Sequence, residues 1–482
     1  MGLINLFLKY YTSLRCNQFS KVRILEIQEQ RFRRLLRHAA INSEFYRELY
    51  RGIDIENCRL SDLPIVTKST MMNNYDRFVT DNRIKLHEVQ SWLRDENNDS
   101  KWYLGRYLPI PSSGSTGEYA LVVYHRKALE SVQASLFARH PLDASRPVYE
   151  HTKILLTRLF GFKAHITAVA APRSNLVAMI KRVPAFQRFF AKMKILSTFD
   201  PLDRIVATLN EFQPDCLFSY SFFLEMLAQE QLAGRLKIAF GHPMSFLAGV
   251  GEPLTEHTQR LALRAWNTAI QNSYGAAECY FMASSCKKSG RLHAMSDLCI
   301  LEIVDRENNP VSPGDYGEKV LVTNLFNFVQ PIIRYEIEDV TGYAGECCEC
   351  GLSFPTLLPV QGRTTDFLYF QKPQGGYERF HPYRFRVPLF YIDELRQYQI
   401  VQTARNELTL LYVPQNDVVD IEQQLVQTLE EALSQAGLES QVTVKLKRVE
   451  SIARHERSGK YEIVKSLGAP SGLDTALDTN TY

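Results

Sequence analysis

Pro111-Ser112-Ser113-Gly114-Ser115-Thr116-Gly117 is followed shortly by an apolar run of strand length, Ala120-Leu121-Val122-Val123-Tyr124. Six of the seven loop residues are Gly, Ser or Thr, and four carry hydroxyls. Glycines permit close backbone approach, and freed N–H groups with hydroxyls can wrap phosphate oxygens without a dedicated cation. The stretch is not a Walker A loop, because Glu118 rather than Lys follows the last glycine. Taken alone, it reads equally well as an ordinary Ser/Gly turn between strands.

Downstream of this loop, short apolar runs alternate with helical stretches. Residues Lys153 to Leu159, Ile195 to Phe199, Cys216 to Tyr220, Met244 to Val250 and Ala269 to Tyr274 are strand candidates. Helical patterns lie near 127–139, 201–212, 222–233 and 255–267. Such alternation predicts an α/β fold with a mostly parallel sheet covered by helices. The segment Arg182 to Leu196 mixes phenylalanines with Arg188, Lys192 and Lys194, and reads as an amphipathic surface helix. Upstream, residues 18–51 read as helical. Their eight basic and four acidic residues from Lys21 to Arg51 form a solvated face rather than a nucleic-acid patch. Residues 72–105 are polar and poorly periodic, which predicts a long surface excursion.

From Leu298 to Thr323 the pattern becomes strands and turns, a β-subdomain. The turn Pro373-Gln374-Gly375-Gly376 suggests a linker over 364–376, between a large lobe (1–363) and a small α+β domain (377–482). In that domain Glu407 to Val413 reads as a strand. Asp420 to Ala436 reads as a helix with Ile421, Leu425, Leu429 and Leu433 in register, and Gly437 is placed to end it.

The chain has 482 residues, 45% hydrophobic and 23% charged, with a formal net charge of +3. That balance demands neither nucleic acid nor an anionic membrane. No apolar run approaches the roughly 18 to 20 residues that span a bilayer. The first residues lack a basic n-region and a small-residue cleavage site, so no signal peptide is read. Nine cysteines, an odd number with Cys347, Cys348 and Cys350 close together, suit a reducing cytoplasm rather than a disulfide framework.

Ser273-Tyr274-Gly275-Ala276-Ala277-Glu278 closes the last strand of the alternating region. At the carboxyl end of a parallel strand, an aromatic ring can cover a purine and a carboxylate can hold Mg²⁺ on phosphate oxygens. Gly249-Val250-Gly251-Glu252-Pro253 follows another apolar strand and lacks the third glycine of a dinucleotide fingerprint, so it reads as close backbone approach to a ligand. Tyr220, Phe246, Gly249 and Gly251 flank strand ends and are candidates for a pocket holding an aromatic or otherwise planar acid. Asp339 suits a ribose diol, and Arg363 a phosphate. Cys286 and His293, with Cys348 and Cys350, make two Cys/His pairs from separate loops. That is the usual frame of a structural tetrahedral Zn²⁺, although ordinary reduced thiols fit the same spacing.

In order and spacing these pieces resemble the adenylate-forming superfamily, specifically its phenylacetate–CoA ligase and coenzyme F390 synthetase branch. The resemblance runs from Ile27–Ala39 and Ser43–Arg47 through Leu63-Pro64-Ile65-Val66-Thr67-Lys68 and Ser112–Gly117. It continues over Ser273–Glu278, Pro331-Ile332-Ile333-Arg334-Tyr335 and Gly362-Arg363 to Ser458-Gly459-Lys460. It implies that Ser112, Ser113, Gly114, Ser115, Thr116 and Gly117 embrace ATP phosphates, with Tyr274 and Gly275 at adenine. Glu278 would bind Mg²⁺, Asp339 the ribose, and Arg363 ribose or phosphate. Lys460, on a small mobile C-terminal domain, would contact the reacting carboxylate and α-phosphate. The implied activity is ATP-dependent conversion of a carboxylic acid to an acyl-adenylate, then thioesterification to CoA. The alternatives are transfer of the acyl group or AMP to a non-CoA acceptor in natural-product or polysaccharide tailoring, and a degenerate nucleotide-binding scaffold. Some members of the branch carry a similar Cys…His and Cys-x-Cys-Gly arrangement, and relatives are commonly homodimers. Two departures stand out: Glu118-Tyr119-Ala120 ends the loop where relatives carry Lys or Pro-Thr, and Thr365 stands where a hinge acid is expected.

Overall fold

A computed structural model describes residues 2–112, 119–139, 164–172, 174–182, 191–241, 245–252, 254–286, 288–364, 367–380, 382–390, 392, 394–415, 421–453, 463–468 and 470. The chain divides into two compact units, one running to Val360 and the other beginning at Gln361.

The first unit opens with helix Gly2–Cys16, then helix Lys21–Asn42. Ser20 caps the second helix by accepting from the Arg23 amide. The stretch read as one helix is interrupted at Ser43, which ends that helix and caps the next, Glu44–Leu49, by accepting from the Tyr46 amide at 3.3 Å. Residues 72–105 are not a surface excursion. Short helices Tyr75–Phe78 and Leu86–Arg94 set Tyr75, Val79, Ile84, Val89 and Tyr103 into a core shared with Leu121 and Val123. Turns carry these apolar residues inward at irregular spacing, so no helical period marks them.

The strands β1 (Tyr107–Pro111) and β2 (Leu121–His125) form an antiparallel pair. The large sheet then takes β3 (Ala164–Ala170), β4 (Ala191–Ser197), β5 (Cys216–Ser219), β6 (Phe246–Val250) and β7 (Ile270–Tyr274) in the parallel order β4-β3-β5-β6-β7. The strands β8 (Ala283–Ser285) and β9 (Leu292–Ala294), with the short strand Thr356–Leu357, extend it antiparallel. Helices Leu202–Phe212, Ser221–Leu232 and Glu256–Trp266 match the periodic stretches of the sequence. The amphipathic helix expected across Arg182–Leu196 is corrected where the chain is described: 191–197 is β4. Among the described strands β4 is at the sheet edge, where Lys192 and Lys194 fit because charge discourages further pairing. The strand expected at Lys153–Leu159 lies outside the described residues, and β3 supplies a central strand from a weakly apolar, alanine-rich segment.

The β-subdomain is an antiparallel sheet of β10 (Cys299–Val304), β11 (Lys319–Asn324) and β12 (Tyr335–Ile337). The second unit holds hairpin strands Leu368–Gln371 and Tyr377–Phe380 across most of the stretch read as a linker. A four-stranded mixed sheet follows, packed against helix Glu422–Ser434, whose Leu425, Leu429 and Leu433 are buried. Gly437 has φ +67° just past that helix, a conformation a side chain would strain.

Candidate active site

Strand order reverses between β3 and β5, so their diverging connections leave a crevice outside the carboxyl ends. Ala170, Ser219, Val250 and Tyr274 end the four neighbouring strands β3, β5, β6 and β7. Ser219 Oγ donates to the Val169 carbonyl at 2.7 Å, and the Ala171 amide donates to Tyr220 Oη at 3.4 Å, fastening the edges of the switch point. Gly251 has φ +75°. The next residue, Glu252, turns back on helix Ser221–Leu232: its carboxylate accepts from the Phe222 amide at 3.2 Å and its carbonyl from Ser221 Oγ at 3.3 Å. A carboxylate there accepts from an amide of the first turn and complements the helix dipole. A Cβ on Gly249 would stand 3.2 Å from both Ser221 Oγ and Ile270 Cγ2, which gives that glycine a packing reason within the protein.

At the end of β7 the Tyr274 hydroxyl donates to the Asp339 carboxylate at 2.8 Å, both side chains buried. Two residues 65 apart in sequence are thus joined at one edge. Gly275 follows in a tight reversal, with the Ala276 amide donating to the Cys279 carbonyl at 2.9 Å and the Met282 amide to the Tyr274 carbonyl at 2.9 Å. A Cβ on Gly275 would lie 2.3 Å from the Tyr280 carbonyl oxygen, so only glycine fits. Glu278 is buried in this reversal. Its carbonyl accepts from Asn324 Nδ2 at 2.9 Å, while the Tyr124 hydroxyl donates to the Ala277 carbonyl at 2.8 Å. Burial pushes the Tyr124 phenol well above its ordinary value, keeping it a donor. Asn324 also accepts from the amides of Phe326 and Asn327. Sequence reasoning did not single out Tyr124 or Asn324. The available signal was a polar Asn directly after an apolar strand.

Ser112 closes the neck of the Gly/Ser loop: its amide donates to the Ala120 carbonyl at 2.7 Å and its Oγ accepts from the Ala120 amide at 2.8 Å. Ser113, Gly114, Ser115, Thr116 and Gly117, with Glu118, lie outside the described residues, as do Lys460 and Thr365. Arg363 sits on the short strand Gly362–Arg363 of the second unit. Phe246 is a correction. It begins β6, level with Cys216, four residues or about 13 Å from Val250 at the carboxyl end of the strand. There it is buried edge-on against Phe218, with ring centroids 5.2 Å apart, as an apolar residue entering a parallel strand should be. The Leu63–Lys68 and Pro331–Tyr335 stretches meet: the Val66 amide donates to the Arg334 carbonyl, and Arg334 donates to the Ser61 and Leu63 carbonyls and to Glu302. Arg334, at φ +47°, therefore ties the segment before the Gly/Ser loop to the β-subdomain.

The antiparallel end of the large sheet gathers the Cys/His set. Cys286 follows β8, His293 lies in β9, and Cys348 and Cys350 precede the strand that pairs with β9. Their four ligand atoms all lie within 4.8 Å of one another. Cys286 Sγ is 3.8 Å from Cys348 Sγ, and Cys350 Sγ is 3.4 Å from His293 Nε2. His293 Nδ1 donates to the Phe354 carbonyl at 2.9 Å, which leaves Nε2 to the cluster. Burial raises the Cys286 thiol, but hydrogen bonds from His293 and Ser289 outweigh it and bring the pKa down to about 5. Burial holds the Cys350 thiol at about 12. Cys347 is exposed and outside the set.

A divided chain with a parallel sheet, a β-subdomain and these turns at the carboxyl edge has the fold of the adenylate-forming enzymes. The comparison is with 2-hydroxyisobutyryl-CoA ligase in its postadenylation state, bound to R3-HIB-AMP: TM-score 0.66 at 18% identity, covering 94% of this chain and 91% of that one. The chain is also a homologue of phenylacetate–coenzyme A ligase from Thermus thermophilus, 25% identical over 80% of this chain and 79% of that protein. It is 22% identical to protein CapK of Staphylococcus aureus over 66% of this chain, a match spanning 62% of CapK. No family model matches the chain.

Proposed function

We propose that the protein is an AMP-forming acid–CoA ligase. It activates a carboxylic acid, with an aromatic one as the first candidate, as an acyl-adenylate and passes the acyl group to CoA. The observation that carries this is the Tyr274–Asp339 hydrogen bond beside the Gly275–Glu278 reversal, at the carboxyl edge where a nucleotide would lie. In this reading Tyr274 and Gly275 flank the adenine, and Asp339, oriented by the Tyr274 hydroxyl, takes the ribose diol. The loop 112–117 and Arg363 take phosphates. Tyr220 and Gly251 border the acid, with Gly249 packed behind them.

The reaction forms a bond from a carboxylate oxygen to the α-phosphorus and breaks the bond to pyrophosphate. Charge neutralisation governs that step more than proton transfer. Lys460 is assigned to bridge the acid and the α-phosphate. Glu278, a buried carboxylate whose backbone is pinned by Asn324, is the residue to hold Mg²⁺, which supplies electrostatic shielding of the phosphates. Cys286, His293, Cys348 and Cys350 fit a structural Zn²⁺ fastening β8 and β9 to the turn before Thr356. The chain is assigned to the cytoplasm. No described helix is long and apolar enough to cross a membrane.

Carboxylate-dependent exchange of labelled pyrophosphate into ATP, across aryl, aliphatic and amino acids, tests the first half. Release of AMP on adding CoA tests the second. Binding of ATP without exchange for any acid would refute the adenylation reading, and exchange without CoA consumption would redirect it to another acceptor.

A further inference from the structure

Helix Gly2–Cys16 has two unlike faces. On one, Tyr10 and Leu14 are buried against Ala134 and Ala138 of helix Arg126–Arg139, and Ser13 and Ser135 share a hydrogen bond of 2.9 Å. On the other, Phe7, Leu8 and Tyr11 are 41%, 55% and 41% exposed. Spacings of three and four residues put them on one stripe, which exposed Arg15 continues one turn further. Val22 and Leu25, at the start of the next helix, are 67% and 48% exposed. Five of the eleven exposed large apolar side chains among the described residues therefore fall between positions 7 and 25. Single exposed apolar residues need no explanation, but a concentration of them does.

The charges on this helix and on the segments beside it are one-sided. Segments 1–26 and 126–130 together hold six Lys or Arg and two Glu, and residues 1–25 hold no carboxylate. The two acids are already engaged: Glu130 lies 3.4 Å from Lys9 and 3.6 Å from Arg126, and Glu26 lies 2.6 Å from Arg23. Arg15, on the stripe, and Lys21, just beyond the end of that helix, remain as exposed cations. A second copy of the chain is a poor occupant, because a two-fold interface would set this cationic excess against itself. An aromatic and aliphatic stripe rimmed by cations matches the boundary between lipid headgroups and acyl chains.

We infer that this face docks the protein on an anionic lipid surface. Phe7, Leu8 and Tyr11 enter the headgroup boundary, and Arg15 and Lys21 lie near lipid phosphates. The helix lies on the membrane and does not cross it.

The test is flotation of the full chain with phosphatidylcholine vesicles, with and without about a third phosphatidylglycerol. The wild type should float with the anionic vesicles, weakly with the neutral ones, and less as salt rises. The combined variant Phe7→Ser, Leu8→Ser, Tyr11→Ser should lose about tenfold in partition. Arg15→Gln with Lys21→Gln should lose tenfold or more, since each cation near such a surface contributes roughly fivefold. Thermal melts should stay near wild type because all five side chains are exposed. Absence of flotation, or flotation undiminished in the triple variant, would overturn the inference. So would a dimer that the triple variant converts to monomer without any vesicle binding.

Discussion

Replacing Gly275 by Ala tests the active-site reading at its tightest point. The new methyl would sit 2.3 Å from the Tyr280 carbonyl oxygen, 2.8 Å from its carbon and 3.3 Å from the Cys279 carbonyl oxygen. All three are backbone atoms, so no side chain can swing aside. Relief requires about 1 Å of separation between the end of β7 and the strand leading to β8. Overpacking of this kind costs about 1–3 kcal/mol of stability. The functional cost should be larger, because the same reversal carries Glu278 and begins at Tyr274. A displacement of about 1 Å in a reacting constellation costs on the order of a hundredfold in rate. Pyrophosphate exchange should therefore fall about a hundredfold while the melting temperature drops only a few degrees. Gly241→Ala is the control, since its methyl meets nothing within 4 Å. It should leave exchange unchanged. A Gly275→Ala protein with wild-type exchange would refute the claim that this reversal positions the nucleotide.

Four further outcomes follow from the same geometry. Tyr274→Phe removes a hydrogen bond to a buried carboxylate, an interaction in the range of about 1.5–3 kcal/mol. It should raise the KM for ATP roughly tenfold or more in exchange assays, and an unchanged KM would detach Tyr274 from the nucleotide. Lys460→Ala should abolish adenylate formation while sparing ATP binding in calorimetry; retained exchange removes the lysine from the mechanism. Purified protein should carry zinc in equimolar amount by elemental analysis, and Cys286→Ser should lose it and melt several degrees lower; a zinc-free wild type of equal stability would refute the site. Glu225, held by Thr258 Oγ1 at 2.8 Å, has its carboxyl raised to about 7, mainly by burial. Its ionisation therefore opposes folding: stability is highest below about pH 4.5, falls as pH rises toward 7, and stays lower above it. With the side chain 19% exposed, the loss is about 2 kcal/mol after allowance for solvent screening. Denaturant melts across that range should flatten in Glu225→Gln, and a slope identical to wild type would refute the assignment.

The parallel region was legible because its pattern is regular: four periodic stretches became helices within a residue or two, and β5, β6 and β7 fell where apolar runs stood. Failures came where the hydrophobic signal was dilute or interrupted. β3 reads Ala-His-Ile-Thr-Ala-Val-Ala, too weak in large apolar side chains to announce a central strand, yet sheet neighbours cover it on both sides. β4 alternates lysines with apolar residues near a phenylalanine cluster, which imitates an amphipathic helix until its place at the sheet edge is known. Phe246 was placed in a pocket because it stood near a strand end. Chain direction already put Phe246 toward the amino end of the run Met244 to Val250; the sheet shows it buried there against Phe218.

The site shows the same division between what a chain announces locally and what only its topology supplies. Tyr274, Gly275 and Glu278 are adjacent, so a turn motif identifies them. Asp339 is separated from Tyr274 by the whole β-subdomain, and the two meet because that subdomain returns the chain to the edge of β7. The partners that fix the backbone at Ala277 and Glu278, Tyr124 and Asn324, are also remote, 153 residues from Ala277 and 46 from Glu278, and neither carries chemistry of its own. Their hydrogen bonds remove freedom from the backbone that carries the Glu278 carboxylate. That makes Asn324 an informative position: Asn324→Leu leaves the Glu278 and Ala277 side chains intact but deletes the donor to the Glu278 carbonyl. If preorganisation of that backbone contributes to catalysis, exchange should fall by about tenfold with ATP binding retained. If exchange is unchanged, Glu278 is held by the reversal alone and the distant contacts serve only folding.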